Sequence, residues 1–312
     1  MSWSSPKSMT ILEQLPEGSR VGVIRLRSLG DCVLTTPALA LLKRARADLK
    51  IGVTVEQRFA PLFENSPATD QVLAPTWQAL RRWKPSLCVN LHGGTRSQWL
   101  TAFSGAKWRA GFAHHNFTFA YNVKIPRAQR ILSVNRTVHT AEHLASAFFA
   151  LGVPIAEVPR AQLGAAESPI QGRYAVLHPF ASAPEKQWPA ERFCEVARYL
   201  ELWRIHPVFL AGPQDDPAPF RAHQVFQGSL ADMKAVLSKA SVFLANDSGP
   251  AHVAAAFSVP SVVLFSTSNP AIWGPWRTEA EVVVAPEGLA KVSVSRVIAA
   301  LERLRIFEEA HA

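Results

Sequence analysis

Two open α/β domains, each a parallel sheet with helices on its faces, are the fold class that this sequence predicts. Three observations carry that reading. Short β-rich apolar runs alternate with helical patterns; a single stretch rich in Pro, Ala and Gly, residues 153–172, interrupts the alternation; beyond it the same rhythm is used again. With 312 residues, 48% hydrophobic and 18% charged, the chain is long enough for two separate cores of ordinary globular composition. Two such domains facing each other across a cleft bring together the C-terminal edges of their strands, where ligands of parallel sheets bind.

The first domain is expected over residues 1–160. Residues 21–26 form a β-rich run, the loop 27–31 follows, and a helical pattern continues through Leu34, Leu39, Leu41 and Leu42. Thr36 and Pro37 suit the N-cap and first position of that helix. Residues 51–56 and 87–91 read as further strands. The stretch 153–172 is taken as the linker, and the second domain as residues 161–312. There the readings alternate in order: strand 174–178, amphipathic helix 190–203, strand 207–211, helix 232–240, strand 242–245, helix 249–257 and strand 261–265. The last helix is expected to pack back on the first domain.

Charge is unevenly spread. The formal net charge is +9, yet between Asp70 and Glu142 there is no acidic residue, while ten Lys and Arg, among them Arg81, Arg96 and Arg136, fall in that segment. It is also rich in Trp, Phe and Tyr. Such a surface suits a polyanion or an anionic membrane face, against the plainer reading of solubility charge over core aromatics. The N-terminal residues 1–20 lack the apolar core of a signal peptide, and no apolar run approaches the roughly 20 residues that span a bilayer. Cys32, Cys88 and Cys194 are widely spaced and form neither a disulfide framework nor a zinc pattern. A cytoplasmic protein is expected.

Four loop signals carry chemistry. Asn246-Asp247-Ser248-Gly249-Pro250-Ala251-His252 lies between an apolar strand and a helix of small residues. A strand that turns there into a helix presents unpaired N–H groups and a positive dipole end, a seat for phosphate. Ser28-Leu29-Gly30-Asp31 offers a close backbone approach at Gly30 and a carboxylate at Asp31, which as a turn or cap residue has a plain role too. The segment 178–189 places one ammonium, Lys186, just before a helix start. Gly212-Pro213-Gln214-Asp215-Asp216 ends a strand with two carboxylates, either of which suits ribose hydroxyls. Neither Gly-x-x-x-x-Gly-Lys-Ser/Thr nor Gly-x-Gly-x-x-Gly occurs, which weakens P-loop and ordinary dinucleotide readings. His252, amid small apolar residues, reads more readily as a helix-packing histidine than as a metal ligand.

In order along the chain, the run 24–39 around Ser28-Leu29-Gly30-Asp31, then Lys186-Gln187-Trp188-Pro189, then the stretch 246–256, then Trp273-Gly274-Pro275-Trp276, together resemble glycosyltransferase family 9, the ADP-heptose:lipopolysaccharide heptosyltransferases. The resemblance implies a GT-B architecture, with two Rossmann-like domains, and inverting transfer without an essential metal. It implies Asp31 as general base and Lys186 with Ser182 on the donor phosphates. Asp215, with Asp216 in competition, falls near the ribose, and Asp247, Ser248, Gly249 and His252 form the diphosphate loop. Gly30 and the basic residues Arg81, Arg96 and Arg136 then belong to the acceptor side. An ADP-sugar is the expected donor substrate, with no separate cofactor and no metal. A phosphorylated glycolipid at the cytoplasmic face of the inner membrane is the expected acceptor, making the enzyme peripheral there; nucleic acid is not an expected partner. Three other readings stand beside this one: a related transferase using another nucleotide-sugar, a non-catalytic protein binding anionic glycolipid or nucleic acid, and a nucleotide-sugar epimerase.

Overall fold

The computed structural model describes residues 9–304 together with Ile306 and Phe307. By its contacts the chain divides into two compact units, the first running to Arg27 and again from Pro37 to Pro159, the second comprising Ser28–Thr36 and the chain from Arg160.

In the first unit, β1 (Arg20–Ile24), β2 (Lys50–Thr54), β3 (Gln71–Leu73), β4 (Leu87–Asn90), β5 (Trp108–Phe112) and β6 (Val123–Ile125) form an all-parallel sheet of order β3-β2-β1-β4-β5-β6. Its central strands read as continuous apolar runs because both faces are covered; β4 is buried along its whole length. Around the sheet run α1 (Leu29–Ala45), α2 (Trp77–Trp83), α3 (Thr95–Ala102), α4 (Ala128–Leu132) and α5 (Thr140–Leu151). Ile24, Leu73, Leu80, Cys88 and Leu100 join strands and helices in one apolar cluster. Cys88 is so fully enclosed that its thiol is pushed up to about 12.

The second unit repeats the plan. Strands β7 (Tyr174–His178), β8 (His206–Ala211), β9 (Gln224–Gln227), β10 (Val242–Asn246), β11 (Ser261–Phe265) and β12 (Ala280–Val284) pair in parallel in the order β12-β11-β10-β7-β8-β9. Counted from its own first strand, this is the same 3-2-1-4-5-6 order, the doubly wound arrangement of nucleotide-binding sheets. Helices α6 (Ala190–Leu202), α7 (Leu230–Ser238), α8 (Gly249–Ala256), α9 (Pro270–Trp273) and α10 (Val294–Arg303) accompany it. Trp188 is its largest fully buried side chain, and the indole Nε1–H, which needs a partner once dry, donates to the Val292 carbonyl at 2.9 Å. Val297, Ala300 and Leu301 of α10 belong to this unit's core.

The start of α1 is a second departure. Thr36 and Pro37 do not begin it; the helix starts at Leu29 and Pro37 lies inside it. The operative signal is Ser28 followed three residues later by Asp31, whose Oδ2 accepts from the Ser28 N–H at 3.3 Å and the Ser28 hydroxyl at 3.1 Å. A proline inside a helix has no N–H for the carbonyl four residues back, here Val33. Thr36 supplies that donor. Its Oγ1 donates to the Val33 carbonyl at 2.9 Å and accepts from the Gln162 N–H at 3.3 Å, all within the second unit. Thr36→Val keeps the shape but orphans these buried groups, so it should cost about 1–3 kcal/mol in urea unfolding. In a Pro37→Ala background, which restores a backbone donor, the cost of Thr36→Val should shrink; an equal cost in both backgrounds would show that the hydroxyl acts elsewhere.

Candidate active site

A cavity of about 310 Å³ lies in the second unit. Three pieces of its wall follow the C-terminal ends of strands: Asp247, Ser248 and Gly249 after β10, Ser268 after β11, and Lys186 in the connection from β7 to α6. Strands β10 and β7 are neighbours from which the sheet is wound in opposite directions, so the cavity sits at the topological switch point, where such sheets bind ligands. The remaining wall is the first turn of α1, with Ser28, Gly30 and Asp31, together with His252 and Trp273.

Two helix N-termini meet here, and glycine permits it. A Cβ at Gly30 would lie 2.4 Å from Cδ2 of His252, and one at Gly249 would lie 2.8 Å from the Leu29 side chain. Neither position tolerates a side chain, because the opposing group is ring or branched carbon held by the packing of α1 on α8. The imidazole of His252 is buried in this contact.

The polar groups of the cavity are unequally engaged. Asp31 is turned by its two bonds from Ser28. The Lys186 ammonium donates to Ser268 Oγ at 2.7 Å and stands 3.7 Å from Asp247 Oδ2. Ser248 is the N-cap of α8, but its side chain makes no capping bond, and Oγ is buried without a hydrogen-bond partner among the described residues. A buried hydroxyl left without a partner costs about 1–3 kcal/mol, and at the positive end of a helix it points to an anion that would complete it.

Asn246 holds the two sides of the wall together. At the buried end of β10, its Oδ1 accepts from the Trp188 N–H at 3.1 Å and its Nδ2 donates to the Pro179 carbonyl at 2.7 Å. The loop carrying Lys186 is thereby tied at both ends to the strand that leads to Ser248. His178, where that loop begins, is buried, which pushes its pKa down, and its Nδ1–H donates to the Leu210 carbonyl at 3.0 Å.

Of the residues singled out in the sequence, Gly30, Asp31, Lys186, Asp247, Ser248, Gly249 and His252 come together around the cavity. Ser182 is exposed and does not line it. Asp215 closes the turn after β8 by accepting from the Gly212 N–H at 2.7 Å, and Asp216 accepts from the Ala218 N–H at 3.0 Å. Arg81, Arg96 and Arg136 belong to the first unit. Arg136 is held by Glu142 at 2.6 and 2.9 Å, Arg96 donates to the Pro75 carbonyl at 3.1 Å, and Arg81 is exposed on the last turn of α2. Sequence reasoning passed over Ser268 as a site residue, and left Trp273 as part of a motif. Both follow the apolar run of β11, where Asn269 and Pro270 form an N-cap and first helical position, the same signal that marks residues 246–252. No group of three or more His, Cys, Asp and Glu side chains suited to a metal ion occurs among the described residues.

The first unit holds a second polar cluster. His114 and His115, just after β5, and His143 on α5 gather around the Phe112 ring. Burial, reinforced by repulsion among these rings and from Arg25, pushes His115 and His143 down to about 4, so both are neutral at physiological pH.

Solved structures share this architecture. A glycosyltransferase family 9 protein of Veillonella parvula superposes with a TM-score of 0.82 at 24% identity, covering 93% of this chain and 98% of that one. The E. coli heptosyltransferase WaaC, solved with ADP, gives 0.75 at 20% identity, covering 91% and 99%. The fold is thus that of the two-domain α/β GT-B class. Residues 74–298 match glycosyltransferase family 9 (heptosyltransferase), and lipopolysaccharide heptosyltransferase 1 of Pseudomonas aeruginosa is 27% identical over 300 residues, 82% of this chain and 81% of that one. The chain belongs to glycosyltransferase family 9 and is a glycosyltransferase.

Asn246→Ala should remove partners from both the Trp188 N–H and the Pro179 carbonyl. Its expected cost is about 2–4 kcal/mol in urea unfolding, because each orphaned buried group costs about 1–3 kcal/mol. A loss below 1 kcal/mol, on the scale of roughly one ordinary net hydrogen bond, would mean that the loop is held by something else.

Proposed function

We propose that the protein transfers a heptose from ADP-heptose to an inner-core acceptor of lipopolysaccharide, inverting the anomeric centre and using no metal ion. The observation that carries this reading is the convergence in one cavity of the carboxylate of Asp31, the ammonium of Lys186 and the N-terminus of α8 with its partnerless Ser248 hydroxyl. The named activity of the heptosyltransferase relatives, and the ADP bound by WaaC, support the donor and the sugar.

In this reading the donor diphosphate lies against Ser248, Gly249 and the first turn of α8. Ser248 Oγ donates to a phosphate oxygen, and Lys186 turns from Ser268 to the same group. Asp247 and His252 complete the loop, and Ser182 closes on the phosphates from the exposed side. The nucleoside extends toward the turn after β8, where Asp215 or Asp216 meets the ribose. An acceptor hydroxyl attacks the anomeric carbon from the face opposite the diphosphate. Asp31 takes its proton, held for the task by Ser28, as the bond from carbon to the diphosphate oxygen breaks. The leaving charge falls on the helix end and the ammonium, a preorganised positive field that needs no rearrangement during the step.

The acceptor is assigned to the first unit together with Gly30. Arg81, Arg96 and Arg136 are its proposed contacts for acidic groups, and the imidazoles around Phe112 supply polar donors. This acceptor is a phosphorylated glycolipid, which places the enzyme peripherally at the cytoplasmic face of the inner membrane.

Mass analysis of the product from ADP-heptose and a truncated lipopolysaccharide acceptor tests the activity directly: a mass increment of one heptose is expected, and its absence with this donor but not with another nucleotide-sugar would redirect the reading. Asp31→Asn should lower kcat about 10²–10⁴-fold while ADP affinity stays near wild type. Normal turnover would leave Asp31 as a helix-start residue only. Excess EDTA should leave the wild-type rate nearly intact, and Lys186→Ala should cost on the order of 2–4 kcal/mol of transition-state stabilisation that added Mg²⁺ does not restore. Activity abolished by EDTA and recovered with Mg²⁺ would overturn the metal-free mechanism.

A further inference from the structure

The first unit exposes large aromatic rings that its core does not use. Trp99, Phe103, Phe117 and Phe119 are between 49% and 62% exposed. Three of them form one group. Trp99 and Phe103, four residues apart along α3 and its C-cap, stack with ring centroids 5.5 Å apart, and Phe119 meets Trp99 edge-on at 5.1 Å. Contiguous exposed apolar surface of this kind marks an interaction site, because isolated rings are common and clustered ones are not.

The segment is held to present them. Phe117 has φ +59°, the left-handed region, which costs a residue with a Cβ about 1–2 kcal/mol. The neighbouring Asn116 carbonyl is gripped by the side chain of Gln98 from α3, and Gln98 also donates to the Gly93 carbonyl at 3.3 Å. The backbone is thus pinned in a strained form while the two phenylalanines that follow the pin point outward.

The surroundings are cationic. The rings fall within the stretch from Asp70 to Glu142 that has ten Lys and Arg and no acidic residue between its ends. Arg109 Nε donates to the Ala120 carbonyl, next to Phe119, at 3.0 Å, and Lys107 lies 5.0 Å from the centroid of the Trp108 ring. Arg96 is carried on α3 itself. Aromatic rings amid Lys and Arg match the two chemical layers of an anionic bilayer surface, acyl chains reached by the rings and phosphates met by the cations. No helix among the described residues is long and apolar enough to cross a membrane.

We infer that the cluster of Trp99, Phe103 and Phe119, with the exposed Phe117 and a basic surround, is an interfacial anchor that seats this protein on an anionic phospholipid bilayer. It deepens the reading of the acceptor as a membrane glycolipid, and it rests on that reading for its purpose, but vesicle binding needs neither donor nor acceptor. Each ring adds buried apolar area to the bound state, and each nearby cation adds attraction that salt screens within a Debye length of about 10 Å at 0.1 M.

The test is flotation of the full-length protein with phosphatidylglycerol-containing vesicles and with pure phosphatidylcholine vesicles, beside a Trp99→Ala/Phe103→Ala/Phe119→Ala variant. Wild type should bind the anionic vesicles, lose that binding as salt is raised, bind the neutral ones weakly, and have its tryptophan emission quenched by brominated acyl chains. The variant should bind the anionic vesicles at least about tenfold more weakly. Its urea midpoint, ADP affinity and rate on a detergent-free, soluble sugar acceptor should match wild type. Failure of wild type to bind anionic vesicles, or equal binding by the variant, would overturn the anchor. A raised KM of the variant for the soluble acceptor would also overturn it, showing that the rings stack on the sugar instead. Vesicle binding by a protein that transfers no heptose would refute the transferase reading alone.

Discussion

The close approach of α1 to α8 is the constraint on which the site depends. A helix N-terminus is a useful anion seat only if something holds it rigidly at the edge of a cavity, and here two such ends support one another through Gly30 against His252 and Gly249 against Leu29. Because neither glycine has room for a methyl group, the two helix starts approach each other as closely as the His252 ring and the Leu29 side chain allow. The first turns of α1 accordingly cluster with the second unit, and the helix passes to the first unit at Pro37, where Thr36 has replaced the missing backbone donor. Asp31 and the start of α8 therefore fall in the same compact unit.

Around that contact, the polar groups divide into those already satisfied and those held in reserve. Asn246 spends both ends of its amide on the Trp188 N–H and the Pro179 carbonyl, so it is structural in spite of its place at the head of the 246–252 turn. Lys186 is only loosely engaged: a neutral hydroxyl at 2.7 Å and a carboxylate at 3.7 Å hold the ammonium in position without a close ion pair. Ser248 is the reverse of an ordinary N-cap, a residue of the right type whose hydroxyl is withheld from the helix. In the proposed function, a leaving diphosphate satisfies both at once.

Much of this was legible in the sequence because the second sheet is buried on both faces. Its strands β7, β10 and β11 are buried throughout and read as unbroken apolar runs, and the small polar residues that end β10 mark the turn without ambiguity. Edge strands were illegible for the opposite reason: β3 and β6 are three residues long, and β9, with Gln at both ends, carries no apolar alternation. The start of α1 was misread because Thr-Pro is a genuine helix-start signal that tertiary contacts overrode. Ser268 was missed because serine has no distinctive chemistry of its own; its role arises from the strand that delivers it opposite Lys186. The turn with Asp215 follows a strand end, as its sequence suggests, and one carboxylate oxygen accepts from the Gly212 N–H.

The central claim is that the end of α8 is an anion seat completed by the donor diphosphate. Calorimetric titration of ADP into wild type and Ser248→Ala tests it most directly, since the serine hydroxyl has no protein partner to lose. A hydrogen bond to a charged group is worth about 1.5–3 kcal/mol, so the variant should bind ADP about tenfold or more weakly, with a urea midpoint no lower than that of wild type because an unpartnered buried hydroxyl has been removed. Equal ADP affinity in the two proteins would contradict the account and place the diphosphate elsewhere.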